Sequence, residues 1–284
     1  MTEPRLFLDA KATLVESPVW DADAGVLWWT DITAGVLHRT ALDGTDVSTT
    51  VDPPLPSFQL REGGGFVAAL EDRVVVLEPD GDEAETLATV QHGHEGMRFN
   101  EGKCDPFGRF LVGSMNVTTG EPDAALYSVE ADGTTRLLRG GFGVTNGIEW
   151  SDDGTVMYVT DTSASTVYRA SYGPDGELGE LEPFVVGAPH DGLVRDDEDC
   201  FWSASYGEGR IERYDASGAH LETVEVPAPN VTSVAFGGDD MSTLFVATAR
   251  ENLTEEQLEE HPHSGGVFAV PTRVHGVPAF AFAG

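Results

Sequence analysis

Lysine is nearly absent. Only Lys11 and Lys103 occur among 284 residues, and the other 14 basic residues are arginines. Bases as a class are scarce: 16 against 49 acids, for a formal net charge of −33. A surface this acidic repels nucleic acid and anionic lipid, so neither a nucleic-acid partner nor a membrane is expected. Cysteine is as rare. Cys104 and Cys200 lie far apart and match no metal spacing, and without a secretory leader they read as buried free thiols. No long apolar run is present, so no membrane span is written in the chain. Met1 to Asp9 carries acids and no apolar stretch, so no signal peptide is expected and a cytoplasmic location is. The acids are spread along the chain rather than gathered in a tail. Their mutual repulsion weakens the compact state at low salt, and a Debye length of roughly 3 Å at 1 M salt removes that penalty. Such a surface is expected of a halophilic protein.

A hydrophobic fraction of 40% with 9% aromatics is enough for a sizeable core despite the charge. The apolar residues recur in short runs. Leu27–Asp31, Phe66–Leu70, Phe110–Ser114, Met157–Asp161, Phe201–Ser205 and Leu244–Thr248 start 39, 44, 47, 44 and 43 residues apart. Each is short and rich in aromatic or β-branched residues, which marks a buried strand. Asp-Gly pairs at Asp43-Gly44, Asp80-Gly81, Asp132-Gly133 and Asp175-Gly176, with Ser217-Gly218, lie between them as hairpin turns. Several strands per unit at this period predict an all-β, six-bladed β-propeller, one domain spanning 1–284. Thr254 to Glu259 reads as a short helix inserted in the last blade. The runs Val267–Val270 and Ala279–Phe282 are candidate closing strands beside an N-terminal strand near Leu6 to Leu8. Trp28, Trp29, Trp150 and Trp202 read as blade core, and Arg109 with Asp105 as a pair or turn cap.

A polar residue stands 9 to 12 positions before each repeated strand: Glu16, Ser57, Asn100, Asn146, Asp191 and Thr232-Ser233. In Glu16-Ser-Pro-Val-Trp-Asp21, Asn100-Glu-Gly-Lys-Cys-Asp105, Asn146-Gly-Ile-Glu-Trp-Ser151 and Asp191-Gly-Leu-Val-Arg-Asp196 it comes five residues before Asp or Ser. Equivalent positions in a propeller form a ring around the axis. Two carboxylates and two amide oxygens are hard donors that suit a divalent ion such as Ca²⁺, Mg²⁺ or Mn²⁺. No Gly-x-Ser-x-Gly elbow occurs, which argues against a serine nucleophile.

These motifs, with Arg98-Phe-Asn-Glu-Gly-Lys-Cys-Asp-Pro-Phe-Gly-Arg109, Asp161-Thr162 and Thr232-Ser-Val-Ala-Phe-Gly-Gly238, resemble the regucalcin (senescence marker protein)/gluconolactonase family of sugar lactonases. The resemblance implies a six-bladed propeller, Glu16, Asn146 and Asp191 as metal ligands, and Asp191 also as general base. It implies that Arg98 and Asn100 hold a sugar lactone. Glu101 stands where the family commonly has Asp, and His190 where Pro is usual; both are expected to line the substrate pocket. The acid that often follows the Gly-Ser/Thr-Met motif is missing at Asn116 and Val117, with Glu121 as a substitute. The implied cofactor is one divalent ion (Ca²⁺, Mn²⁺, Mg²⁺, Zn²⁺ or Fe²⁺). The implied reaction opens a pentono- or hexono-lactone to its aldonic acid in oxidative sugar degradation. The alternatives are a non-catalytic cation- or ligand-binding propeller, and a broader lactonase or phosphotriesterase. The chain leaves the identity of the lactone and the oligomeric state open.

Overall fold

The repeated apolar runs become the second strand of each blade in a computed structural model that describes residues 3–119 and 121–284. Six four-stranded antiparallel sheets are arranged around one axis. Blade 1 runs outward through Val15–Asp21, Val26–Asp31, Val36–Ala41 and Asp46–Thr50. The innermost strands of blades 2 to 6 are Ser57–Leu60, Met97–Cys104, Thr145–Trp150, His190–Arg195 and Val231–Gly237. Each inner strand touches its two neighbours, and the last touches the first, so the cycle closes. Apolar clusters fill the wedges between blades. Val67, Phe99, Phe110 and Phe282 pack between blades 2 and 3, and Trp202, Val231, Phe236 and Phe268 between blades 5 and 6. Burying these faces against neighbouring blades is what stabilises a unit too small to fold alone.

The turns obey one rule. Asp43, Asp80, Asp132 and Asp175 each accept the backbone N–H two residues on, and the glycine between takes a positive φ; Asp215 accepts from Ser217 in the same way, with Gly218 following at positive φ. The aspartates five residues beyond the ring positions also cap turns. Asp105 accepts the N–H groups of Phe107 and Arg109 and pairs with the Arg109 guanidinium at 2.6 Å; Asp196 accepts those of Glu198 and Cys200. The five-residue spacing therefore runs from one end of an inner strand to the turn at the other. Trp29 and Trp150 are fully buried and Trp202 nearly so, whereas Trp28 is only partly buried, edge-on to Phe66. Cys104 and Cys200 are free and buried.

Closure follows the expectation at one end of the chain and departs from it at the other. Arg5–Leu8 pairs with Val267–Pro271 and completes blade 6. Ala279–Phe282 does not join a blade, because that edge is already filled by the N-terminal strand. The last residues instead cross the end of the propeller opposite the ring. They bridge Gly276 to Asp196, Phe282 to Arg61 and Ala283 to Gly108. Val277 to Phe280 close a cavity lined by Val19, Gln59, Lys103, Glu149, Val194 and Ala235, one from each of the six inner strands. The inserted helix spans Glu255–Glu260, with Thr254 and Gln257 forming a capping box. Among the described residues no helix is long and apolar enough to cross a membrane.

Candidate active site

Five of the six inner strands lose their regular register at the ring position. The pairing skips between Glu16 and Val19, Phe99 and Gly102, Asn146 and Ile148, His190 and Leu193, and Val231 and Ser233. Each skip is a β-bulge, which frees a residue from the ladder and re-aims its side chain. The glycine after Asn146 and after Asp191 has a steric cause. A Cβ on Gly147 would stand 2.5 Å from the Asp191 carbonyl oxygen, and one on Gly192 would stand 2.3 Å from Ser233 Oγ. Only glycine lets the next blade's inner strand come this close. In blade 1 the bulge holds Ser17 at φ 49°, a left-handed conformation rare for serine.

The bulges bring Glu16, Asn100, Asn146 and Asp191 together, each less than 9% exposed. A directed chain of hydrogen bonds crosses three blades. Arg98 donates to Asn100 Oδ1 at 2.7 Å and to the Phe99 carbonyl at 2.8 Å. Asn100 Nδ2 donates to Asn146 Oδ1 at 2.7 Å and to the Thr145 carbonyl at 2.9 Å. Asn146 Nδ2 donates to Thr162 Oγ1 at 2.8 Å, and the Thr162 hydroxyl donates to the His190 carbonyl at 2.6 Å. A carbonyl only accepts, so the Thr162 proton is committed and its oxygen must accept from Asn146. That fixes the Asn146 amide: nitrogen towards Thr162, oxygen towards Asn100. Asp161 holds the neighbouring loop by accepting from Gly143, Val144 and Ser163.

Electrostatically the ring is acidic. Burial raises the Glu16 pKa well above its ordinary value, and Asp191 and then Glu101 raise it further; the Ser17 N–H and Arg98 oppose this. Asp191 is raised by burial and by Glu101. Glu101 is pushed up to about 7 by burial, with Lys103 pulling the other way. Deeper in the channel, Lys103 is tied to Glu149 at 2.8 Å and to the Leu193 carbonyl at 3.2 Å. Asp191 Oδ1 is buried with no hydrogen-bond partner. Buried carboxylates that repel one another, one with an orphaned oxygen, fit a cation placed among them. Among the described residues no three His, Cys, Asp or Glu side chains form a metal cluster, so a cation here would rely on the Asn146 amide oxygen beside the two carboxylates.

Not every expected residue faces this centre. His190 is fully buried, its Nδ1 lies 2.9 Å from Ser203 Oγ, and its ring meets Tyr214 edge-on. It belongs to the interior of blade 5, where burial lowers its pKa to about 4, and the expected position along the pocket is not realised. Asn100 has both amide hydrogens committed within the protein, so it braces Arg98 and Asn146. Ser57 is fully buried, and Thr232 bolts blade 6 to blade 1 by donating to the Val15 carbonyl at 2.6 Å. Glu121 is exposed; Asp123 is the acid that reaches Asn116, at 3.2 Å. A groove of about 780 Å³ between blades 4 and 5, lined by Asp153, Arg169 and Glu182 among others, contains none of the ring residues.

Three further residues near the ring carry no repeat signal in the sequence. Thr162 was visible only as the second half of the Asp161-Thr162 pair. Tyr206 and Glu251 lie in the loops that follow the second strands of blades 5 and 6. The Tyr206 hydroxyl lies 3.0 Å from Asn252 Nδ2 and feels the charges of Glu251, Asp191 and Glu16. Glu251 also acts on Arg98.

Residues 14–250, which contain every ring residue, match the profile of the SMP-30/gluconolactonase/LRE-like region. The chain belongs to this family. It is 37% identical over 279 residues to a 6-deoxy-6-sulfogluconolactonase of Pseudomonas putida, covering 96% of each chain. It is 32% identical over 284 residues to regucalcin of Oryctolagus cuniculus, covering 95% of this chain and 94% of that one. Among solved structures, a calcium-binding regucalcin from Agrobacterium tumefaciens superposes with a TM-score of 0.93 at 27% identity, covering 99% of this chain and 97% of that one.

Proposed function

We propose that this family member is a metal-dependent sugar lactonase, opening a pentono- or hexono-lactone to the aldonic acid in an oxidative sugar pathway of a salt-rich cytoplasm. The observation that carries the reading is the pair of buried carboxylates, Glu16 and Asp191, with Asp191 Oδ1 unpartnered beside the Arg98–Asn100–Asn146 chain. The curated lactonase and regucalcin relatives support it. Glu16, Asn146 and Asp191 would hold the divalent ion. Bound there, such an ion supplies Lewis acidity towards the lactone carbonyl oxygen and lowers the pKa of water.

Asp191 is the proton acceptor. A carboxylate that ligates a divalent ion is a weak base, so proton removal by Asp191 would rely on the ion lowering the pKa of the attacking water. Arg98 has one nitrogen committed to Asn100 and the Phe99 carbonyl, which leaves its other N–H groups for sugar hydroxyls. A lactone lacking those hydroxyls leaves the guanidinium unpaired, and it is discriminated against for that reason. The hydrogen-bond chain holds this arrangement before substrate arrives, so little reorganisation is needed during the reaction.

A proton-release assay in high salt, with a panel of pentono- and hexono-lactones and single divalent ions, tests the reading. Spontaneous opening is subtracted at each pH. Hydrolysis above that background, lost in Asp191→Ala and Glu16→Ala while circular dichroism is unchanged, is the expected result. No excess rate with any lactone at any metal overturns it in favour of a non-catalytic binding protein.

A further inference from the structure

We propose that Lys103 and Glu149 are positioning residues for the cation centre: their ion pair anchors the inner strand of blade 5 just beyond the bulge that carries Asp191. The inference rests on the reading of Glu16, Asn146 and Asp191 as a divalent-ion site, and it adds the support that holds one of the three in place.

Asp191 and Gly192 lie between two paired residues. His190 pairs with Ser205 and Leu193 with Ser203, and the register skips the two residues between them. Released from the ladder, they depend on other contacts to fix where they sit. Gly192 offers no side chain for this, and the space beside it is taken by Ser233 of the next blade. Upstream, the His190 carbonyl accepts from the Thr162 hydroxyl at 2.6 Å. Downstream, the Leu193 carbonyl accepts from Lys103 Nζ at 3.2 Å, and the Arg195 N–H donates to Glu149 Oε2 at 3.2 Å. The bulge is thus held at both ends by side chains of other blades.

The downstream anchor reaches across the channel. The inner strand of blade 5 has a strand neighbour on one edge only, and the main-chain groups on its other edge need partners from elsewhere. Lys103 comes from blade 3 and Glu149 from blade 4; they meet at 2.8 Å, with side chains 15% and 4% exposed. Glu149 is fixed in turn, because its Oε1 accepts from the Trp150 N–H at 3.0 Å. One ion pair therefore joins the inner strands of three consecutive blades. Desolvating two charges offsets most of their attraction, so such a pair adds little stability over an apolar pair of the same shape. What it supplies here is two directed hydrogen bonds to the strand that carries Asp191.

Charge and position predict opposite effects of removing Lys103. A divalent ion among Glu16, Asn146 and Asp191 is repelled by an ammonium in the same channel, so loss of that charge alone tightens ion binding. Loss of the anchor weakens it. In the double variant Lys103→Met with Glu149→Leu both charges go, the net charge is unchanged and no unpaired carboxylate is left buried. Its ion affinity reads position alone.

The test is calorimetric titration of metal-free protein with Mn²⁺ and, separately, Ca²⁺. It is run at one pH and one salt concentration, well below the melting temperatures measured in chelator. A role confined to stability lowers the melting temperature and leaves this affinity where it was. Lys103→Met and the double variant are each expected to bind roughly three- to tenfold more weakly than wild type, less than the loss of a direct partner of a ligand causes. Wild-type or tighter binding by the double variant overturns the inference and leaves the ion site standing. If the double variant does not fold, Lys103→Met is judged by the same criterion. Binding of neither ion by wild type removes the site and the inference with it.

Discussion

Replacing Thr162 with valine removes one hydroxyl and leaves the shape of the side chain unchanged. In the folded protein that hydroxyl accepts from Asn146 Nδ2 at 2.8 Å and donates to the His190 carbonyl at 2.6 Å. Two effects follow, on different observables. The His190 carbonyl and the Asn146 amide each lose a partner in a part-buried place, which costs about 1 kcal/mol apiece. The melting temperature should fall by a few degrees. Separately, the Asn146 amide loses one of the two contacts that fix which end is oxygen. Asn100 Nδ2, at 2.7 Å, still selects the oxygen, so the preference is weakened and not lost. Giving up about 1 kcal/mol of that preference weakens cation binding roughly five- to tenfold, at the low end of what partners of metal ligands contribute.

Calorimetric titration with Mn²⁺ or Ca²⁺ measures this directly, without reference to turnover. Thr162→Ser keeps the hydroxyl and drops the methyl, so it should bind the ion nearly as wild type does. Two results refute the reasoning. One is a Thr162→Val protein with wild-type affinity. The other is a Thr162→Ser protein as weak as the valine variant, which would assign the effect to packing.

The burial of these carboxylates makes a prediction of opposite sign for stability. A carboxyl whose pKa rises on folding costs stability once pH exceeds its unfolded value, and the cost grows until pH passes the folded value. Metal-free protein should therefore lose stability as pH climbs from about 4.5 towards about 7, the range set by Glu101, and Glu101→Gln should flatten that decline in a thermal melt series. Asp191→Asn and Glu16→Gln should abolish the lactonase rate yet melt higher than wild type in chelator at pH 8, with no gain at pH 4; a lower melting temperature at pH 8 would sink the electrostatic account. Adding the divalent ion should stabilise wild type and leave these variants unmoved. At the opposite end of the channel, Phe282→Ala empties a fully buried site between blades 2 and 3. Urea unfolding should show a loss of about 3–5 kcal/mol. A loss below about 1 kcal/mol would mean that the terminal strap does not help to close the ring.

The ring was legible because repetition converts sequence position into spatial position. Glu16, Asn146 and Asp191 share little beyond an Asp or Ser five residues on, yet each stands 10 or 11 positions before a buried strand, and a bulge in each of their inner strands turns them towards the same centre. That argument works only where the repeat is regular. Glu251 lies just ahead of the helical insertion of blade 6, where the spacing is broken, so no offset pointed to it. The terminal strap is read the same way: Ala279–Phe282 has the composition of a strand, but the edge it would have filled is occupied by Arg5–Leu8 from the other end of the chain. His190 is a different case. It is the last residue in regular pairing before the bulge that re-aims Asp191, and its side chain enters the blade, where Ser203 and Tyr214 receive it. His190 therefore bears on how blade 5 packs, and not on the centre that Asp191 faces.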